Sequence, residues 1–75
     1  MIQKLIKGHR VDIRSAAAVK ARRELKPGDL FSFSVDTFRV VEKRPRVVIA
    51  RLAFDRDDLS LFTITQRQLM LADIL

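Results

Sequence analysis

Phe31-Ser32-Phe33-Ser34-Val35-Asp36-Thr37-Phe38-Arg39-Val40-Val41-Glu42 is the stretch that decides the fold. Its apolar residues recur with a period of two. Phe31, Phe33 and Val35 face one way and the serines the other, the pattern of a half-buried strand. Asp36-Thr37 reads as a tight turn, and Phe38 to Glu42 as a second strand with Phe38 and Val40 on the core side. Lys43-Arg44-Pro45 then reads as a hairpin tip. Arg46 to Phe54 forms a third strand, β-branched and apolar on both faces in its middle, hence central and bent. Asp55-Arg56-Asp57-Asp58 is a polar loop, and Ser60 to Ile64 a fourth strand. Thr65 with Gln68 three residues later fits a capping box, which opens a short C-terminal helix carrying Leu69, Met70, Ala72, Asp73 and Leu75.

Upstream of this meander the period changes. Ile13, Ala17, Ala21 and Leu25 recur every four residues, with Ala18 beside them, so residues 12–25 read as an amphipathic helix. Three consecutive alanines favour it. Asp12 or Ser15 supplies the N-cap, because a short oxygen side chain accepts an orphan N–H there. Pro27-Gly28 ends it. Residues 2–6 read as a short strand or a frayed arm, interrupted by Gly8 and His9. The expected fold is α+β: a small four-stranded antiparallel half-barrel, with an N-terminal helix and a short C-terminal helix. Residues 1–75 form one domain, with 1–10 as a basic arm or an edge strand.

Composition narrows the function. The chain has 75 residues, fifteen Lys and Arg against nine Asp and Glu, no cysteine and one histidine. A domain of this size buries only about 60% of its unfolded surface. No disulfide can staple it, and one histidine without cysteine argues against structural zinc. An apolar content of 48% supports a core. No apolar run reaches the roughly 18 residues of a membrane span, and MIQKLIKGHR lacks the apolar stretch of a secretory signal. The chain therefore reads as a soluble cytoplasmic module.

The charge is uneven. Residues 1–26 hold eight basic side chains against Asp12 and Glu24, a net charge equal to that of the whole chain. Residues 52–75 hold Arg56 and Arg67 against four aspartates. Such asymmetry suggests a basic face for a polyanion. Three clusters are candidates: Lys4, Lys7 and Arg10 on the arm, Lys20, Arg22 and Arg23 on the helix, and Lys43, Arg44 and Arg46 at the hairpin tip. Ten arginines against five lysines suit bidentate contacts to phosphate or guanine. With no Trp or Tyr, and all five Phe expected in the core, duplex backbone fits better than stacked single strands.

The stretch 26–69, with Lys26-Pro27-Gly28-Asp29-Leu30-Phe31, Phe38-Arg39-Val40-Val41 and Leu61-Phe62-Thr63-Ile64-Thr65-Gln66, resembles small SH3-like barrels. Similar modules in transposases and other mobile-element proteins imply contact with nucleic acid. A second resemblance, over residues 10–42, is to the AbrB/MazE swapped-hairpin regulators, dimeric DNA-binding proteins. It rests on Arg10-Val11-Asp12-Ile13, a helix, and Leu25-Lys26-Pro27-Gly28-Asp29 before a strand. Arg14 stands where that family has proline, the helix is longer, and some thirty residues of β structure are added.

Catalytic readings find little support. His9 sits in a basic segment without a carboxylate to orient it, as a catalytic base needs. Asp55, Asp57 and Asp58 read as a solvated turn, and Ser32 and Ser34 as outward strand positions. The expectation is a non-enzymatic module without cofactor, metal or small-molecule substrate. It would bind duplex DNA as an accessory or regulatory protein of a phage, plasmid or other mobile element. The alternative is a protein-binding adaptor, or a phage-encoded inhibitor of a host or defence complex of the anti-CRISPR kind. The small-residue helix and the apolar C-terminus leave a protein partner or a homodimer open.

Overall fold

The computed structural model describes all residues from Met1 to Leu75. Seven strands form one sheet: β1 (Gln3–Ile6), β2 (His9–Asp12), β3 (Leu30–Phe33), β4 (Asp36–Lys43), β5 (Val47–Leu52), β6 (Phe62–Thr65) and β7 (Asp73–Ile74). Two short helices, α1 (Ala16–Arg23) and α2 (Gln66–Met70), complete the chain. The strand order is β2-β1-β7-β3-β4-β5-β6. Every pairing is antiparallel except β1 with β7. This overturns the expected four-stranded half-barrel opened by a helix. The protein is mostly sheet, it begins with a hairpin, and three of its strands lie outside the expected four.

The N-terminal hairpin has a local cause. Lys7 and Gly8 both take positive φ, 51° and 87°. That is the signature of a two-residue type I′ turn, whose twist matches the flanking strands. Gly8 thus joins two strands rather than interrupting one. Ile13 N–H then donates to the Ile2 carbonyl at 3.0 Å, which extends the hairpin to the start of the helical turn. Only eight residues are left for α1, not the fourteen expected.

Ser15 caps α1. Its Oγ accepts from Ala18 N–H at 3.2 Å and donates to the Asp12 carbonyl at 2.7 Å. Within α1 only Ala18 is fully buried, and Ala17 of the expected stripe is exposed. A helix this short relies on its ends, since isolated helices below about 12 residues are marginal. Ser15→Ala should therefore cost about 1 kcal/mol. In a domain of this size that is a fall in Tm of roughly 4–8 °C, readable by thermal denaturation.

The turn between β3 and β4 lies at Ser34 and Val35, two residues before the expected Asp36-Thr37. Phe33 pairs with Asp36, and Ser34 takes φ 59°. Asp36 and Thr37 belong to β4. A bulge between Val40 and Glu42 lets Val41 stand out of register, so Val40 and Lys43 share one face.

The core follows that face. Ile6, Phe31, Phe38, Val40, Val48, Ala50, Ile64 and Ile74 point inward and meet Ala18, Leu25, Leu69 and Ala72 from the helices and their flanks. Phe31 stacks on Phe38 with centroids 5.5 Å apart, and Phe62 meets Phe38 edge-on at the same distance. The C-terminal helix also ends early. Thr65 and Gln68 close a reciprocal capping box. After Met70 the N–H groups of Leu71 and Ala72 donate three residues back, and the chain extends into β7. No helix is long and apolar enough to cross a membrane.

Candidate nucleic-acid interface

The nine basic residues singled out from the sequence do not form one patch. The C-terminal turn of α1 and the β4–β5 hairpin tip do come together. Lys43 Nζ donates to the Arg23 carbonyl, joining the hairpin to the end of the helix. Arg22, Arg23 and Lys43 line one cleft of about 330 Å³ with Val19, Pro45, Gln66 and Met70. Arg44 and Arg46 flank Pro45 at the tip, and both are exposed.

Each side chain is held by a different device. Arg22 is half-buried, and its Nη2 donates to the Ile13 carbonyl at 2.8 Å. Burial lowers its pKa, yet an arginine stays protonated through any ordinary loss of solvation. Arg23 is exposed on the last turn. The carbonyls left over there favour a cation, and Lys43 serves that carbonyl end directly. Arg44 Nε donates to Glu42 Oε2 at 2.7 Å, an exposed ion pair. Such pairs stabilise by 1 kcal/mol or less, so Arg44 can exchange this partner for a phosphate at little cost.

Lys20 lies on the other flank of α1. There it lines a groove of about 500 Å³ with Lys7, His9 and Lys26, over a floor of Ile6, Val11, Ala17 and Ala21. Glu24 and Asp29 share that groove, and Lys20 pairs with Glu24 at 3.9 Å. Two carboxylates among these cations make it a mixed surface rather than a polyanion site. Lys4 and Arg10 lie apart from both clusters. Lys4 pairs in register with Val11 on the core side of the hairpin and is half-buried. Arg10 pairs with Leu5 on the opposite face of the edge strand.

The two ion pairs named above are the only ones in the chain. Most of its fifteen cations are therefore free of carboxylates, which is the condition for phosphate contact. Four residues placed in clefts by the fold, Gln66, Arg39, Arg51 and Arg56, were not singled out from the sequence. Gln66 enters the cleft because the capping box at Thr65 fixes the start of α2 beside the hairpin tip. Arg39, Arg51 and Arg56 gather elsewhere: strand register sets Arg39 opposite Arg51, and the loop after β5 brings Arg56 to the same cleft. The Asp55–Asp58 loop is closed on itself. Asp55 Oδ1 accepts from the N–H groups of Asp57 and Asp58, both at 3.1 Å, and a hydrogen bond from Ser60 holds the Asp58 carboxyl below its ordinary range. Comparison with protein-family models, with curated proteins and with solved structures finds no match to this chain.

Proposed function

We propose that this protein is a non-catalytic module that binds the phosphate backbone of duplex DNA. The observation that carries the reading is the convergence of Arg22 and Arg23 from α1 with Lys43 from the hairpin on one cleft, with Arg44 and Arg46 exposed beside it. Guanidinium groups grip phosphate bidentately. A helix end and a hairpin tip side by side present several of them along one ridge. Not all five phenylalanines lie in the core as expected, since Phe54 is largely exposed, but Phe54 lines a different cleft and no aromatic side chain lines this one, which favours backbone contact over base stacking.

The test is the salt dependence of duplex binding in Arg23→Gln/Arg44→Gln/Arg46→Gln. Arg22 is spared because it holds the Ile13 carbonyl. Each lost phosphate contact should remove roughly 0.9 from the slope of log K against log salt, so the slope should flatten by between two and three. The Tm should hold, since exposed substitutions change stability by about 0.5 kcal/mol or less. An unchanged slope, or no binding of the wild type at low salt, would refute the proposal.

A second reading, a protein-binding adaptor or inhibitor, draws on a different observation. Val35, Phe54, Leu59 and Leu61 are largely exposed, Val35 at 93% and Phe54 at 78%. Val35 and Phe54 line one shallow cleft with Leu52. Apolar side chains gathered on a surface are the mark of a protein contact. Absence of duplex binding at low salt would favour this reading.

A further inference from the structure

Arg39 and Arg51 stand directly opposite each other in the β4–β5 register. Paired residues leave the same face of a sheet from Cα atoms roughly 5 Å apart, and like charges placed so are destabilising. The face is the one away from the core, since Phe38, Val40 and Ala50 point the other way. Arg56, from the loop after β5, lines the same open cleft of about 250 Å³, with Asp55, Leu52, Ala53 and Leu59 as the remaining walls. None of the three arginines makes an ion pair or donates a side-chain hydrogen bond within the protein. Asp55 offsets only one of the three positive charges, and its Oδ1 is already held by two loop N–H groups, so the cleft keeps a net positive charge.

We propose that Arg39, Arg51 and Arg56 form an oxyanion site for a phosphate group. Three guanidinium groups around one cleft offer more donors than a single carboxylate can accept, whereas the oxygens of a phosphate can take a bidentate contact from each of several arginines. Bound phosphate would offset the repulsion that the register imposes. The site is independent of the α1 and hairpin-tip ridge. Lys43 pairs with Val48 on the core side of the sheet, whereas Arg39 and Arg51 leave the opposite face.

The test is a titration of the full chain with pyrophosphate at low salt, followed by amide NMR. Saturable shifts should centre on Arg39, Arg51 and residues 55–57. Arg51→Gln should weaken the binding roughly tenfold or more, the value of a charge-assisted hydrogen bond. It should also leave the Tm equal or higher, because it relieves the like-charge pair. The Arg23→Gln/Arg44→Gln/Arg46→Gln variant should bind pyrophosphate as the wild type does, which separates this site from duplex binding. Displacement of pyrophosphate by a duplex oligonucleotide would assign the phosphate to nucleic acid, and its persistence would assign it to a free phosphate ester. No saturable shift, an unchanged titration in Arg51→Gln, or a marked loss of stability in that variant would overturn the proposal.

Discussion

Phe31→Ala should cost about 3–5 kcal/mol and lower the urea midpoint steeply. Phe31 is wholly buried. It pairs with Phe38 on one side and Ile74 on the other, and its ring stacks on Phe38. Truncation would open a cavity where the N-terminal hairpin, β7 and the meander meet. A chain of this length has roughly 4–11 kcal/mol of stability in total. The loss is a large fraction of that total, and no disulfide limits the unfolded state to offset it. Urea denaturation monitored by circular dichroism checks this. A midpoint within experimental error of the wild type would show that Phe31 is not the centre of the core.

Removing Ala72 to Leu75 should have a comparable effect with a different spatial pattern. The two residues of β7 are all that lies between β1 and β3 in the sheet. Ile74 pairs with Ile6 on one side and Phe31 on the other, and its carbonyl accepts from Lys7 N–H at 2.8 Å. Leu75 N–H donates to the Leu30 carbonyl at 3.2 Å, and Asp73 Oδ1 accepts from Leu5 N–H at 2.9 Å. Loss of the buried Ile74 side chain alone is worth about 2–5 kcal/mol. Without β7 the edges of β1 and β3 are both unpaired. Amide hydrogen exchange should then show β1 and β2 unprotected, while β4 and β5, which pair with each other, keep the most protection. Equal loss across all strands would mean that the hairpin and the meander unfold as one unit.

The elements legible in the sequence are those whose cause is local. Alternation over residues 31–42 marks two strands, Asp12 and Ser15 bracket a helix start that the fold assigns to Ser15, and the Thr65–Gln68 capping box marks another. The elements that were not legible depend on partners distant in the chain. β7 is too short for any periodicity, and it exists because β1 and β3 leave a gap of one strand between them. The β1–β2 hairpin turns on Lys7 adopting positive φ, a conformation that lysine composition does not advertise. The turn at Ser34-Val35 won over Asp36-Thr37, although the latter pair has the stronger turn chemistry. The register that places Phe31 opposite Phe38 decides that competition. The charge clusters behaved likewise. The hairpin tip was visible as three basic residues around a proline. Its apposition to α1, the withdrawal of Lys20 to the other flank, and the meeting of Arg39 with Arg51 all required the folded sheet.

The central claim is that the end of α1 and the β4–β5 tip together form the duplex-binding ridge. The most direct measurement is the amide NMR footprint of a short duplex on the full chain at low salt. The largest perturbations should fall at Arg22–Glu24, Lys43–Arg46 and Gln66, with the β1–β2 hairpin little affected. A footprint centred on β1–β2, or no perturbation at all, would contradict it.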